Sequence, residues 1–181
     1  MRFLKPEAEC LAAARRIRLV AMDVDGTLTD GGITYGCGSS EEIKTFHVRD
    51  GAGIKMMMRE GLIVGIITGR ASAANRTRAK ELGLHFAMES QLKKPDALRQ
   101  LAAERGVALD ECAFVGDDLI DGAVCRLCGL GVAVGDAVSE LLDYADVQSE
   151  APGGHGAVRQ FAEWLLRAQG RWEHAKQHYG L

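Results

Sequence analysis

Asp23 and Asp25 stand two residues apart in the stretch Asp23-Val24-Asp25-Gly26-Thr27-Leu28-Thr29-Asp30. Carboxylates this close repel, and each favours its neutral form unless a cation compensates. A hard divalent ion such as Mg²⁺ suits oxygen ligands of this kind. Alone, the stretch is equally a turn with solvated aspartates. Matching chemistry recurs downstream, however, in Thr68-Gly69-Arg70, in Lys93-Lys94 and in Gly116-Asp117-Asp118. A phosphate ester needs such a set. A cation and an ammonium neutralise its charge, while hydroxyl and amide donors hold its oxygens. One of the aspartates can then act as nucleophile and carry the phosphoryl group as an aspartyl-phosphate.

These groups need elements that bring them together. Leu19-Val20-Ala21-Met22 reads as a buried strand that stops at Asp23, with Gly26, Gly31 and Gly32 breaking the pattern after it. Leu62–Ile67 predicts a second buried strand ending at Thr68, Leu84–Met88 a third that leads to Lys94, and Cys112–Val115 another ending at Gly116. Gly131–Val134 and Asp146–Gln148 complete the set, the latter as a last edge strand. Helices are predicted over Glu7–Arg16, Gly51–Arg59 with Asp50 as its cap, Ala71–Leu82, Lys94–Arg105 with Pro95 in its first turn, Leu119–Leu127, Ser139–Tyr144 and Ala157–Ala168. Strands and helices alternate. This predicts an α/β fold, a three-layer, doubly wound and mostly parallel sheet whose strand ends share one edge. Between the first two strands, Ile33-Thr34-Tyr35 and Ile43–Val48 flank the turn-forming cluster Gly36–Glu42 and predict an inserted β-hairpin over about 33–47. A polar tail runs from Gly170 to Leu181.

The bulk properties narrow the possible partners. The 181 residues, 47% hydrophobic and 26% charged, suit one globular domain spanning 1–181. A net charge of −3 argues against a nucleic-acid backbone as partner but leaves a small anion open. No apolar run reaches the length of a membrane span, and no signal-peptide core begins the chain. Five cysteines, an odd number, fit a reducing cytoplasm better than a disulfide framework. Cys125-Arg126-Leu127-Cys128 lies in a predicted helix without a second ligand pair and is read as packing. His174 and His178 are one helical turn apart, which suits a metal, but no carboxylate accompanies them in sequence, so they are read as a solvated tail helix.

In order, Asp23-x-Asp25-Gly26-Thr27, Thr68-Gly69-Arg70, Lys94 and Gly116-Asp117-Asp118-x-x-Asp121 resemble the four motifs of the haloacid dehalogenase superfamily of phosphohydrolases. The resemblance covers nearly the whole chain. It implies a capless fold of that type, with Asp23 as nucleophile and Asp25 as general acid/base. Thr68 and Lys94 would hold phosphoryl oxygens. Asp23, the backbone carbonyl of Asp25, and Asp117 would hold Mg²⁺, supported by Asp118 and Asp121. The hairpin, Phe46-x-Val48-Arg49-Asp50-Gly51-x-Gly53-Ile54-Lys55 and Gly153-Gly154-x-Gly156-Ala157-Val158-Arg159 are similar, more narrowly, to the 3-deoxy-D-manno-octulosonate 8-phosphate phosphatases. That similarity implies a sugar-acid phosphate substrate met by Thr27, Arg49, Lys55, Gly69, Arg70 and His155. It also implies a homotetramer built through the hairpin, with the tail helping to close a site. His155 stands where those enzymes carry a basic residue, and Gln160 follows Arg159 in place of glutamate, which keeps phosphatases of nine-carbon sugar-acid 9-phosphates open. Two other classes compete. A phospho-receiver domain uses a similar residue set, but its lysine comes last, whereas Lys94 precedes Asp117. An inactive oligomerisation module would not need every motif position to be chemically competent.

Overall fold

The computed structural model describes residues 1–36 and 41–181. A short strand β1 (Arg2–Phe3) precedes helix α1 (Glu7–Arg16) and strand β2 (Leu19–Met22). The hairpin strands β3 (Thr34–Tyr35) and β4 (Glu42–Ile43) follow, then α2 (Val48–Arg59), β5 (Ile63–Ile67) and α3 (Ala73–Leu82). Next come β6 (Phe86–Met88), α4 (Lys94–Arg105), β7 (Cys112–Gly116), α5 (Gly122–Leu127) and β8 (Leu130–Ala133). The chain continues through α6 (Ser139–Leu142), β9 (Val147–Gln148), α7 (Ala157–Ala168) and α8 (Trp172–Gln177).

Seven strands form one sheet in the order β1-β9-β8-β7-β2-β5-β6. All neighbours are parallel except β1 and β9. β2 is therefore an interior strand, flanked by β5 and β7 in matching register: Met22 lies opposite both Ile66 and Val115. Its four residues are all buried because both faces are covered, which is why the run reads as continuously apolar rather than alternating. Alternation persists in where the side chains point. Val20 and Met22 join Val64, Ile66, Val115 and Val132 under α1, α2 and α7. Leu19 and Ala21 join Ile67, Phe114 and Ala133 under α4, α5 and Leu141 of α6. These two apolar layers sandwich the sheet, and each large side chain taken fully out of water contributes about 1.5–3 kcal/mol before entropy is counted.

Several sequence expectations are corrected here. Asp50 does not cap α2, which begins two residues earlier at Val48 with His47 before it. Its carboxylate instead accepts hydrogen bonds from the N–H groups of Gly156 (3.1 Å) and Arg159 (2.8 Å), so it caps α7 from another element. β9 is not an edge strand, because β1 pairs outside it, and Arg2-Phe3 is too short for any period to register. Residues Leu119–Asp121 form a 3₁₀ turn before α5 rather than one continuous helix. The tail is not merely polar: α8 buries Ala175 in the first apolar layer. In the hairpin, Thr34 pairs with Ile43 and Tyr35 with Glu42, a shorter ladder than 33–47 suggests. Part of the expected turn cluster, 37–40, lies outside the described residues. Among the described residues, no helix is long and apolar enough to cross a membrane.

Candidate active site

Parallel pairing puts the carboxyl ends of β2, β5 and β7 side by side, and the polar residues that follow them converge there. The N–H of Asp23 donates to Val115 O at 2.9 Å, carrying the β2–β7 ladder one residue beyond β2 and fixing the carboxylate at the sheet edge. The loop then turns on Thr29, whose Oγ1 accepts from the N–H groups of Gly26 and Gly31 and donates to Val24 O, each at 3.3 Å. Gly26 has a φ of +88°, and a Cβ there would meet Asp117 Oδ2 at 2.1 Å. Glycine thus serves both the backbone turn and the close approach of a carboxylate.

The charges are unevenly matched. Lys94, buried at the start of α4, sets its Nζ 2.7 Å from Asp23 Oδ2 and 2.6 Å from Asp121 Oδ1. The other oxygen of Asp121 accepts from the N–H groups of Asp117 (3.1 Å) and Asp118 (3.4 Å). Asp117 Oδ1 accepts from Thr27 Oγ1 at 3.0 Å. Asp23, Asp117 and Asp121 can offer oxygens within 4.8 Å of one another, so one ammonium faces three carboxylates. Burial, then Asp121 and Asp23, push the Asp117 carboxyl up to about 7. Burial and Asp23 likewise raise Asp121 against the pull of Lys94. Burial alone would lower the Lys94 ammonium, but Asp121 and Asp23 outweigh it and raise it above its ordinary value. Asp23 Oδ1 is buried with no hydrogen-bond partner among the described residues.

A divalent cation fits this arrangement. It would give the orphaned Asp23 oxygen a partner and balance the excess negative charge. Asp121, with both oxygens already engaged by Lys94 and two backbone amides, acts as the brace that orients Lys94 and the turn after β7.

The other expected site residues divide among four places. Thr68 is buried at the end of β5, where its Oγ1 accepts from the N–H of Arg70 at 3.4 Å. Gly69 and Arg70 follow it, and Arg70 forms an ion pair with Glu42 of the hairpin while its Nε lies 3.7 Å from Asp25 Oδ2. Arg49 and His155 line a separate groove of 420 Å³ with Arg159 and Gln160. Lys55 is exposed on α2. Asp118 is also exposed, and its carboxylate caps the 3₁₀ turn through the N–H of Leu119 rather than facing the acidic cluster.

Two contacts were not anticipated from sequence. Lys44 sets its Nζ 2.5 Å from Asp25 Oδ1 and 3.7 Å from Glu42 Oε2, with its side chain only 3% exposed. Glu42 and Lys44 share one face of the hairpin by period two, but that pattern is common to any solvated strand pair. The Gly153–Gly156 loop is brought onto the acidic loop: Gly154 N–H donates to Thr27 O at 3.0 Å, and a Cβ at Gly153 would strike Gly26 O at 1.7 Å.

A buried aspartate beside a lysine and further carboxylates, at the carboxyl edge of a parallel sheet, defines a phosphoryl-transfer hydrolase of the haloacid dehalogenase-like class. The profile of the haloacid dehalogenase-like hydrolases matches residues 83–160. The chain is 42% identical over 169 residues to the 3-deoxy-D-manno-octulosonate 8-phosphate phosphatase KdsC of Escherichia coli, covering 93% of this chain and 89% of the relative. The corresponding phosphatase of Haemophilus influenzae is 39% identical over 155 residues, 86% of each chain. A crystal structure of the phosphatase from Moraxella catarrhalis, in complex with magnesium ion, phosphate ion and KDO, superposes with a TM-score of 0.92 at 38% identity, covering 96% of this chain and 99% of that one. The chain belongs to the 3-deoxy-D-manno-octulosonate 8-phosphate phosphatase family of haloacid dehalogenase-like hydrolases.

Proposed function

We infer that the chain is a Mg²⁺-dependent phosphomonoesterase that releases phosphate from 3-deoxy-D-manno-octulosonate 8-phosphate. The observation that carries the reaction is the split environment of Asp23: Lys94 holds one oxygen, and the other is buried beside Asp117 and, among the described residues, unpartnered. The sugar acid is supported by the family to which the chain belongs.

Asp23, Asp117 and the backbone carbonyl of Asp25 would hold Mg²⁺, which when bound neutralises phosphate charge and screens the attacking carboxylate. Asp23 attacks phosphorus, so that a P–O bond to its carboxylate forms as the P–O bond to the sugar breaks. Asp25 gives its proton to the departing sugar oxygen. Asp25, now a carboxylate, then takes a proton from water as that water attacks phosphorus, and the bond to Asp23 breaks to free phosphate. Thr68 and Lys94 hold the phosphoryl oxygens through both steps, and Thr27 fixes Asp117. Arg49, Arg70, Gly69, Lys55 and His155 are proposed to meet the sugar acid, with the Arg49–His155 groove as the place for its carboxylate.

We also propose that the hairpin assembles four copies and that the whole chain works as one domain. Tyr35 (60% exposed), Ile43 (55%) and Val48 (81%) form an apolar surface on the hairpin and the start of α2, which contact with another copy would remove from water. A cytoplasmic location is part of the same proposal, since a reducing medium keeps Cys10, Cys112, Cys125 and Cys128 as free thiols.

Phosphate release with Mg²⁺ from 3-deoxy-D-manno-octulosonate 8-phosphate, a nine-carbon 9-phosphate and hexose phosphates tests the reading. The eight-carbon ester is expected to have the highest kcat/KM, and Asp23→Asn to lower its turnover by about a thousandfold or more. Full activity in Asp23→Asn would remove Asp23 as nucleophile, while a better nine-carbon ester would replace the substrate.

A further inference from the structure

α8 returns to the end of α2 and places two imidazoles against one carboxylate. Glu60, the residue just after α2, has a side chain only 4% exposed. His174 Nδ1 lies 3.0 Å from both of its carboxylate oxygens, and His178 Nε2 lies 3.3 Å from Oε1. The two rings stand edge to face with centroids 5.0 Å apart, as residues one helical turn apart can. All three can offer ligand atoms within 4.8 Å of one another. The carboxylate missing from the sequence neighbourhood of the two histidines is thus supplied by the fold, 114 residues away from His174.

The cations nearby are directed elsewhere. Arg59 donates to Tyr179 Oη, Arg171 donates to the backbone carbonyl of Glu60, and Lys176 pairs with Glu173. Among the described residues, the ion pairs of the Glu60 carboxylate are with the two imidazoles alone. Two nitrogens and a carboxylate suit zinc or a neighbouring transition metal and not Mg²⁺, which prefers oxygen and water. The position is also remote from the acidic loop. α2 ends by delivering the chain to the amino end of β5, whereas Asp23 lies at the carboxyl end of the parallel strand β2.

We propose that Glu60, His174 and His178 form a second metal site, for Zn²⁺ or a close neighbour, that fastens the C-terminal helix α8 to the end of α2. Three protein ligands leave the fourth position to water. Binding would tie the tail to the body of its own chain at a point independent of the phosphatase chemistry.

The test uses the full-length, untagged chain saturated with Mg²⁺, so that the acidic site is filled. Zinc binding is measured by calorimetry, and tail protection by the rate of tryptic cleavage after Lys176. Wild type is expected to take about one Zn²⁺ per chain and to resist cleavage when zinc is added. His174→Ala, His178→Ala and Glu60→Gln should each weaken zinc binding by about 100-fold or more and abolish the zinc-dependent protection. Both histidines are exposed, and far-UV circular dichroism checks that the variants fold. Asp117→Asn should bind zinc as wild type does. Zinc binding unaffected by both histidine substitutions, or no binding by wild type, overturns the site. Binding without any change in cleavage overturns the fastening role.

Discussion

Asp117 carries the sharpest electrostatic consequence at the scale of single residues. Its carboxyl titrates at about 7 in the folded chain against an ordinary 3.8, so the folded state holds a proton that the unfolded state has released. That difference is absent below the ordinary value, grows as pH rises, and is complete above about 7, so it destabilises the metal-free chain at neutral pH. Allowing for solvent screening, Asp117→Asn should stabilise the metal-free protein by about 1–2 kcal/mol at neutral pH in urea unfolding. The same variant should lose most of the stabilisation that Mg²⁺ gives wild type. A substitution neutral in chelator would show that the carboxylate cluster is not strained. Acidic groups at strand ends were legible in the sequence because an apolar run that stops at a carboxylate marks its own position. Lys44 was not, because what singles it out is a contact with Asp25 across the hairpin, and no local pattern encodes that. Replacing Lys44 with Met should lower kcat/KM by about tenfold while leaving unfolding little changed, since the hairpin lies outside the core. An unaltered kcat/KM would make the Lys44–Asp25 pair incidental.

Among the elements, α2 and α7 depend on each other through one side chain. Asp50 is buried within α2, yet it accepts the N–H groups of Gly156 and Arg159 at the start of α7. Burial raises its carboxyl despite those hydrogen bonds. Asp50→Ala leaves two helix-end donors without their partner and should destabilise the chain by about 1–3 kcal/mol, read as a lower urea midpoint at unchanged slope. Asp50→Asn should recover part of that loss, since an amide oxygen can still accept. Equal effects from the two variants would mean that the cavity, not the cap, matters. An aspartate preceding a glycine looks like the cap of its own helix, and only tertiary structure shows that it serves another. The long helices α1, α4 and α7 were readable to the residue because favourable propensity coincides with an apolar stripe or a first-turn proline. β1 was not, being two residues long and paired far away in sequence, and the tail helix was read without its packing, since nothing local to Ala175 shows that it enters the core.

For the molecule as a whole, the proposed assembly rests on the exposed apolar residues of the hairpin. Tyr35→Asp with Ile43→Asp should convert a tetramer into smaller species in sedimentation velocity and reduce phosphatase activity with it. A wild-type chain that sediments as a monomer at micromolar concentration would remove the assembly. The parallel sheet and its layers were legible from alternation of element types alone, whereas the docking of the Gly153–Gly156 loop on the acidic loop was not, since glycines announce a turn but not what the turn touches. That docking bears on the order in which the protein is made. β2 is an interior strand that needs both β5 and β7, and its acidic loop is completed by residues 153–154, far downstream of it. The reacting aspartate therefore emerges from the ribosome well before the loop that completes its site. Chains arrested before Pro152 should leave the Asp23 loop open to protease, and chains extended past α7 should protect it. Catalytic competence in this fold arrives late and all at once, so a prematurely terminated chain carries the nucleophile without the means to use it.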